Sequence, residues 1–510
     1  MGCSPTQNGE VKIIMNNIAK ASQTTDKEIL IPQENNDPFL FYTILEFIKQ
    51  SKHSSVYKVR HKKSLEIRIM KIYNELNESS VTKDDIKNQI NILKTLSHPH
   101  IITLYEVFYF SNKIYLLYEY FPDGNLFDYI SNNQKLNEKK SRQIIFQIIN
   151  ALNYCHLNRI ILSNLSPEHI VIQNKTNKNC LWTKIIDFGA YNLMEKKGNN
   201  ECNVITLGFK RSSNLCCIPP EDDLSEKTDI WSVGVIMYFL LTGDYPFKGD
   251  NSNEIRKQIN NFNSRIINFD NNNFKEISED ALNFLKKLLE LNPFNRPSCI
   301  NLFEENWLKN FNEQEDKILT SNAFKNAIKN AEYYKKDNKI KNWLIGYIIH
   351  HLIKMEDLDY LRKCFLSLDK NFDGKITKEE LLIGLKKNMN DEEAEKKVNI
   401  IFNNIKNDDE NINYNDFIKG TFNMKELLND KNLSIIFKLI DKDKKGKFNK
   451  DELKNFFLSN IQDKEIQNFL DNENNKDKDI FTQFIEELDM NGDGKLNLKE
   501  FNYFIKILFN

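Results

Sequence analysis

Long apolar runs are missing from this 510-residue sequence. No segment approaches the roughly 18 apolar residues that a membrane-spanning helix requires. The first thirty residues also lack the apolar stretch of a secretory signal. We therefore expect a chain that is soluble or attached to a membrane only at its periphery.

Cysteine is scarce and follows no pattern of a disulfide framework or a metal site. The eight cysteines lie scattered along the chain, without a C-x-x-C motif and without the His spacing of zinc sites. Such a distribution is typical of reduced thiols in an intracellular protein.

An excess of charge of either sign is absent as well. The 71 Lys and Arg residues nearly balance the 72 Asp and Glu residues, which leaves a net charge of −1. Because no overall field attracts nucleic acid, we expect no nucleic-acid partner. We expect a monomer that recognises a protein partner locally, and the sequence does not identify that partner.

The patterns along the chain predict several domains, and a prior of about 100 to 200 residues per domain gives two to four. Residues 1–38 are polar and without a period, residues 39–120 contain short β-branched and aromatic segments, and residues 121–308 are mostly helical in periodicity. Residues 309–357 combine Lys and Asn with apolar residues at helical spacing, and residues 358–510 repeat a helix-loop-helix unit four times. This order predicts a flexible tail, a small lobe, a large lobe, junction helices and a repeat domain.

Two of the repeats contain complete calcium loops of the EF-hand type. Each has oxygen ligands at positions 1, 3, 5 and 12, a glycine at position 6 and a backbone carbonyl at position 7. The ligand positions are Asp369, Asn371, Asp373, Lys375 and Glu380 in the first loop, and Asp489, Asn491, Asp493, Lys495 and Glu500 in the second. Ile376 and Leu496 are the apolar residues at position 8, where paired loops meet. The sequence therefore predicts two good Ca²⁺ sites.

The other two loops are poorer. The third loop in chain order has ligands at Asp441, Asp443, Lys447 through its carbonyl, and Glu452. Because Lys445 occupies position 5, where a carboxylate is usual, this loop predicts weak Ca²⁺ binding. The loop at 405–416 begins with an apolar residue and lacks the turn glycine, so we expect it to be structural.

The first residues, MGCSPT, match the pattern for N-terminal acylation. Gly2 fits myristoylation and Cys3 is placed for palmitoylation. One myristoyl chain binds membranes only marginally, whereas two acyl chains anchor a protein stably. The motif predicts attachment to the cytoplasmic face of a membrane, against the alternative of a coincidence in a disordered tail.

Residues 39–308 carry the frame of a protein kinase. Lys71 stands where a strand lysine grips the α- and β-phosphates, and Asp187 of an intact DFG stands where magnesium is bound. Glu221 in PPE, Asp229 in DIWSVGV and Arg296 in NRP follow in the expected order. With the acylated tail, the junction and the calcium loops, the chain resembles the calcium-dependent protein kinase family over nearly its whole length.

The resemblance implies an α+β protein, with a bilobal kinase fold followed by an all-α domain of four EF-hands. It also implies that calcium opens the EF-hand lobes, which then seize the junction and release the kinase lobes. The lysine-bearing helices between residues 320 and 352 match that junction, and a simple linker is the alternative.

Several chemical residues of the family are replaced. The three glycines of the phosphate-covering loop become Lys49, Ser51 and Ser54, although glycine lets the backbone approach phosphates there. The helix glutamate that pairs with Lys71 in the family is replaced by Gln89, and the ribose-contacting acid is replaced by Asn125.

The catalytic loop, ILSNLSPEHIVI, departs most. Asn164 stands in place of the aspartate that accepts the substrate proton, Ser166 in place of the phosphate-facing lysine, and His169 in place of the second magnesium ligand. Losing a general base costs about 10²- to 10⁴-fold in rate. We therefore expect a calcium-responsive pseudokinase, with binding of Mg-ATP left open.

Two alternatives stand beside this expectation. One is an active Ser/Thr protein kinase that uses other residues for catalysis. The other is a calcium buffer with a vestigial kinase domain, which binds calcium without recruiting a partner.

Overall fold

A computed structural model describes most of the chain from residue 33 to residue 509. The described residues are 33–34, 36–51, 54–73, 82–175, 180–186, 188, 190–197, 201–208, 215–262, 276–309, 315–334, 339–353, 355–405, 410–441, 443–453, 456, 485, 489 and 491–509.

The small lobe is a six-stranded sheet covered by one helix. Its strands are β1 (Gln33–Glu34), β2 (Tyr42–Gln50), β3 (Ser54–His61), β4 (Ile67–Tyr73), β5 (Leu104–Phe110) and β6 (Lys113–Glu119), and its helix is α1 (Lys83–Thr95). The strand order is β1-β5-β6-β4-β3-β2, and every pair is antiparallel except β1 with β5. This sheet places β2, β3 and β4 next to one another above the cleft between the lobes.

Helix α1 begins at a capping box. The Thr82 hydroxyl accepts from the Asp85 amide, and the Asp85 carboxylate accepts from the Thr82 amide. Ile86, Ile90 and Leu93 recur at helical spacing and are buried. The helix therefore packs its apolar face inward.

The large lobe is mostly helical, as the sequence predicts. Its helices are α2 (Leu126–Asn133), α3 (Glu138–Leu157), α4 (Glu226–Thr242), α5 (Ser252–Asn260), α6 (Glu279–Leu288), α7 (Cys299–Phe303) and α8 (Asn306–Lys309). Its strands are β7 (Ile160–Ile161), β8 (Ile170–Lys175), β9 (Cys180–Ile185), β10 (Ala190–Lys197) and β11 (Glu201–Gly208). A 3₁₀ turn at Pro167–His169 connects the catalytic-loop segment to β8.

The predicted pair of Glu221 and Arg296 is present inside the large lobe. Arg296 Nη1 and Nη2 donate to the two carboxylate oxygens of Glu221 at 2.6 and 2.8 Å. The guanidinium carbon also lies 5.1 Å from the centroid of the Trp231 ring on α4. This two-point ion pair ties the segment before α4 to the segment between α6 and α7.

The described residues of the C-terminal part of the chain form helices and four two-residue strands. Its helices are α9 (Glu315–Leu319), α10 (Asn322–Tyr333), α11 (Lys339–Leu352), α12 (Met355–Leu368), α13 (Lys378–Lys386), α14 (Asp391–Ile405), α15 (Tyr414–Thr421), α16 (Met424–Leu427), α17 (Asp430–Ile440) and α18 (Leu498–Phe509). Its strands are β12 (Lys375–Ile376), β13 (Ile412–Asn413), β14 (Lys447–Phe448) and β15 (Leu496–Asn497).

These strands pair the calcium loops. Ile376 faces Ile412 across β12 and β13, and Phe448 faces Leu496 across β14 and β15. The two complete loops therefore do not pair with each other. Each complete loop is joined to one of the poorer loops.

The junction helices share an apolar core with the EF-hand helices. Phe324 and Ile328 of α10 and Ile348 of α11 are buried in the same cluster as Phe402 of α14 and Phe417 of α15. Because this core is continuous, the junction is part of the EF-hand domain in this conformation.

Candidate functional site

The strands at the position of the glycine-rich loop, β2 and β3, pair antiparallel, with a register shift between Phe47 and Lys49. Lys49 pairs with Val56 and Gln50 with Ser55, and the Ser51 amide donates to the Ser54 carbonyl at 2.8 Å. The hydroxyl oxygens of Ser51 and Ser54 lie 2.8 Å apart. The side chains at two of the three former glycine positions, Ser51 and Ser54, thus bond to each other, and the hairpin offers side chains where a kinase offers bare backbone.

Lys71 lies on β4 and lines the cleft between the lobes. Its ammonium nitrogen is 5.0 Å from the centroid of the Tyr73 ring. Gln89, buried on α1, accepts a hydrogen bond from the Tyr73 hydroxyl at 3.1 Å. Among the described residues Lys71 forms no salt bridge. The structure thus brings Gln89 to Tyr73, and the ammonium of Lys71 lies over the face of the Tyr73 ring.

His169 is turned towards its own loop. Its Nδ1 atom donates to the Asn164 carbonyl at 2.6 Å, and the Ser166 hydroxyl lies 3.3 Å from the same nitrogen. The side chains of Asn164 and Ser166 are buried. An Nδ1 atom that donates to a carbonyl has no lone pair for a metal. The three replaced catalytic positions therefore form one local hydrogen-bonded group.

Asp229 on α4 holds the backbone of this loop. Its carboxylate accepts from the Leu162 and Ser163 amides at 3.0 and 2.7 Å, and from His156 Nε2 at 2.8 Å. Burial alone would lower the pKa of His156, but Cys299 and Asp229 beside it raise that pKa well above 6.5. The structural support of a catalytic loop is thus retained although its chemical residues are replaced.

The cleft between the lobes has a volume of about 260 Å³ and a mainly apolar lining. Its apolar lining residues are Ile48, Val56, Ile69, Ile102, Tyr118, Phe121, Val171 and Ile186, and its polar ones are Lys49, Lys71, Glu119, Asn125, Glu168 and His169. Apolar walls with a few polar groups are typical of small-molecule sites.

The polar residues of the cleft have partners of their own. Glu119 accepts from the Lys184 ammonium at 2.6 Å and from the Thr103 amide at 2.7 Å. Asn125 caps α2, because its side-chain oxygen accepts from the Asp128 amide at 2.9 Å. Asn125, at the position predicted to contact a ribose, is therefore the N-cap of α2. Asp187, the predicted magnesium ligand, lies outside the described residues.

The ligand residues of the first calcium loop are held in place by hydrogen bonds within the loop. Asp369 accepts from the Asp373 and Gly374 amides at 3.1 and 3.0 Å, and Glu380 accepts from the Lys370 and Thr377 amides at 2.9 Å each. Burial, followed by the neighbouring Asp373 and Glu380 carboxylates, raises the pKa of Asp369 well above 3.8. Carboxylates crowded in this way fit a divalent cation, with Asn371 and the Lys375 carbonyl completing the predicted ligand set.

The fourth loop shares part of this internal bonding and lies in a more exposed place. Asp489 accepts from the Gly492 and Gly494 amides at 2.8 and 2.6 Å, and Glu500 accepts from the Asn497 amide at 2.9 Å. Asp493 forms an ion pair with the Lys447 ammonium of the third loop. The predicted ligands of this loop, including Asn491 and the Lys495 carbonyl, thus fit Ca²⁺. One of its carboxylates, that of Asp493, already has the Lys447 ammonium beside it.

The third loop gathers three carboxylates despite its lysine. Oxygen atoms of Asp441, Asp443 and Glu452 lie within 4.8 Å of one another. The Lys445 ammonium lies 2.7 Å from Asp443 Oδ2. The loop therefore contains an internal cation next to a predicted ligand, which agrees with the expectation of weak Ca²⁺ binding.

The second loop is built as a structural element. Ile405, at its first position, is buried in the apolar core. The Asp416 amide donates to the Asn413 side chain at 2.9 Å in the cap of α15. These roles agree with the expectation that the loop is structural.

The sequence did not predict the side-chain contacts of two residues in this region, Lys447 and Phe372. The ammonium of Lys447 reaches Asp493 in another loop, although only its carbonyl was expected to act. Phe372 is an apolar residue at position 4 of the first calcium loop, and it packs against the large lobe. An aromatic residue within a polar loop was the signal that could have identified it.

The predicted acylation sites, Gly2 and Cys3, lie outside the described residues. Within the described part of the chain, every helix is too short or too polar to span a bilayer.

Comparison with known proteins gives concordant matches. The family described as protein kinase domain matches residues 42–308, and the family described as EF hand matches residues 361–384, 433–458 and 483–505. Calcium-dependent protein kinase 4 of Plasmodium falciparum (isolate 3D7) is 30% identical over 440 residues, which cover 84% of this chain and 79% of that protein. Calcium-dependent protein kinase 5 of the same isolate is 29% identical over 473 residues, covering 92% and 78%.

Proposed function

We propose, because this chain belongs to the calcium-dependent protein kinase family, that it is a calcium-responsive pseudokinase that binds a protein partner at a membrane. Calcium-regulated signalling and Ca²⁺ binding follow from the family and its EF-hands. The loss of catalysis is our own inference. The observation that carries it is that the three replaced positions of the catalytic loop, Asn164, Ser166 and His169, bond to one another.

The chemistry of phosphoryl transfer argues against catalysis by this loop. Asn164 has no useful proton affinity near neutral pH, and loss of a general base costs about 10²- to 10⁴-fold in rate. His169 directs its Nδ1 proton at its own loop, and its other ring nitrogen, Nε2, is not the oxygen ligand that a second magnesium ion prefers. Ser166 has no charge to place on a phosphate. Because these residues act together in one catalytic site, the losses in rate are not additive, but each replacement removes a different catalytic function.

The cleft supports binding of a nucleotide more than its turnover. The apolar walls fit a planar base, and Lys71 and Lys49 line the same cleft with positive charge. If Mg-ATP binds, Lys71 would contact its phosphates and Asp187 would hold the metal. The metal would supply neutralisation of phosphate charge.

The site of action is a second part of this proposal. Acylation of Gly2 and Cys3 would hold the chain on the cytoplasmic face of a membrane, since two acyl chains give stable anchoring. The kinase lobes would then act as a docking surface for another protein, and calcium would bias the arrangement of the EF-hand domain against them.

An active kinase is the second candidate. Two retained structural contacts favour this candidate, because Asp229 still holds the catalytic-loop backbone and Glu221 still pairs with Arg296. Under this candidate another group replaces the function of Asn164.

The two candidates are separated by an assay on the purified full chain. We expect no transfer of labelled phosphate to itself or to a mixture of basic peptides, with calcium or with chelator, and no change in an Asp187→Ala variant. Phosphate incorporation that is lost in Asp187→Ala would show that the chain is an active kinase. Thermal unfolding with Mg-ATP on the same samples measures nucleotide binding separately.

A further inference from the structure

The first calcium loop is itself a contact surface with the kinase large lobe. Phe372, at position 4 of the loop, is only 9% exposed. Its ring centroid lies 4.0 Å from that of Phe303 on α7 and 5.6 Å from that of Phe146 on α3, with interplanar angles of 32° and 88°. Aromatic pairs at these separations add to the free energy of burial. The ring therefore anchors the loop in an aromatic pocket.

The backbone of the loop is held at the same place. Asn153 on α3 donates from Nδ2 to the Phe372 carbonyl at 2.7 Å. Gly374, two residues on, lies against Tyr154, since a methyl group added there would come within 2.4 Å of the Tyr154 ring. Both sides of the turn thus contact consecutive residues of α3.

The other calcium loops provide an internal comparison. In the fourth loop, position 4 is Gly492 and position 6 is Gly494, and a methyl group at either would meet no described atom within 4 Å. In the third loop, Lys444 at position 4 is exposed. The two complete loops therefore differ in their surroundings although their ligand residues are the same in type.

The docked loop has the backbone conformation of the other loops. Phe372 has a φ of +56°, against +59° for Lys444 and +71° for Gly492. A left-handed conformation is unfavourable for a residue with a large side chain. The hydrogen bond from Asn153 and the aromatic pocket offset that cost in the docked state. Docking thus stabilises this conformation at Phe372.

We propose that Asn153, Tyr154, Phe146 and Phe303 form a receiving site for the first calcium loop, and that docking there raises the Ca²⁺ affinity of this loop but not of the fourth. By linkage, Ca²⁺ in the first loop strengthens its contact with α3 by the same factor. Asn153 lies three residues before His156, which bonds to the carboxylate that holds the catalytic-loop backbone. The contact thus connects the loop to the frame of the kinase cleft.

This inference rests on the calcium-binding part of the proposed function and not on the loss of catalysis. The experiment uses the full chain with Glu452→Gln and Glu500→Gln, which silence the third and fourth loops and leave the first to be titrated. Calcium binding is measured by calorimetry in this background and in the same background with Asn153→Ala or Phe372→Asn. Asn is chosen at 372 because it tolerates the left-handed conformation. Asn158→Ala is the matched control, because Asn158 ends the same helix and donates to the Tyr154 carbonyl.

We expect Asn153→Ala to weaken Ca²⁺ binding about two- to tenfold, the effect of one net hydrogen bond. Phe372→Asn weakens it at least as much, and Asn158→Ala leaves it unchanged. Hydrogen exchange of residues 138–157 is the second readout: calcium slows exchange there in the background chain, and this slowing is lost in Asn153→Ala.

Two results would overturn the coupling. One is an unchanged or tighter Ca²⁺ affinity in both Asn153→Ala and Phe372→Asn, with unfolding temperatures in chelator equal to that of the background chain. The other is exchange along α3 that does not respond to calcium. A parent chain that binds no calcium at all would refute the calcium-responsive function as well, whereas the phosphate-transfer assay bears only on catalysis.

Discussion

Arg68 of the small lobe donates from Nη2 to the backbone carbonyl of His351, near the end of junction helix α11, at 3.1 Å. The guanidinium carbon lies 3.7 Å from the centroid of the Tyr105 ring, and the ring of His350 lies 4.6 Å from the same centroid. Because all these groups pack at one place, the junction is bonded to the small lobe as well as to the EF-hand helices. A displacement of the junction would therefore break contacts with the small lobe.

Removing the Arg68 charge should loosen this attachment. We expect Arg68→Met to speed hydrogen exchange in residues 339–352 and to lower stability by about 1.5 to 3 kcal/mol, the range for a hydrogen bond from a charged group. Arg60→Met on the adjacent strand is the control, because Arg60 is exposed. Equal exchange rates in the two variants would contradict the role of Arg68.

The turn glycines of the two complete loops should respond differently to alanine. Gly374 and Gly494 have φ values of +77° and +73°, so alanine strains both loops and weakens calcium binding at each. Only Gly374→Ala also pushes against Tyr154. We expect about 1 to 3 kcal/mol of additional destabilisation from this overpacking. Thermal unfolding in chelator measures it, and equal unfolding temperatures for the two variants would count against the contact.

The third loop should gain affinity when its internal cation is removed. Lys445→Asp replaces the ammonium beside Asp443 with a further carboxylate ligand at position 5. We expect at least about a tenfold rise in the Ca²⁺ affinity of this loop, since ligand charge sets the affinity of such sites. Calorimetric titration of the full chain would show an additional tight equivalent.

Lys444→Asp is the control for that experiment. It makes the same change in charge at an exposed position that supplies no ligand. An equal gain in both variants would mean that the net charge of the loop, and not the ligand at position 5, limits its affinity.

Acidic pH should destabilise the kinase domain through His98. Burial, and the nearby Lys184, lower the pKa of His98 to about 3, although its bond to Asn150 opposes the shift. The folded pKa lies below the unfolded value of about 6.5, so this stability is fully present above pH 6.5 and is lost as the pH falls towards 3. The loss is at most about 1.4 kcal/mol per pH unit in that window.

His98→Asn tests this dependence because it cannot take up a proton. We expect the unfolding temperature of the parent to fall more steeply between pH 7 and pH 5 than that of the variant. Parallel curves for the two proteins would show that His98 does not contribute to acid sensitivity.

The features that could be predicted from the sequence are local in the chain. The calcium loops could be identified because their ligands lie within twelve residues of one another, and the spacing itself defines the geometry. The kinase frame was recognisable for a related reason, since Lys71, Glu221, Asp229 and Arg296 occur within short motifs in a fixed order. The family match supports that recognition.

The features that could not be predicted depend on contacts between distant segments. The bond between Gln89 and Tyr73, and the seat of Phe372 between Phe146 and Phe303, join residues whose proximity only the folded chain creates. The pairing of each complete calcium loop with a poorer loop also depends on contacts between distant segments. Periodicity gives the face of a helix that is buried, but it does not give the element that covers this face.

The pairing of each complete calcium loop with a poorer one has a consequence for the shape of the calcium response. Two strong sites that share a sheet can fill together and give a steep curve, but here the partner of the first loop is structural and the partner of the fourth contains its own lysine. We therefore expect occupancy of the chain to rise gradually over a wide range of calcium concentration. Such a protein reports the level of a signal, and not only its presence.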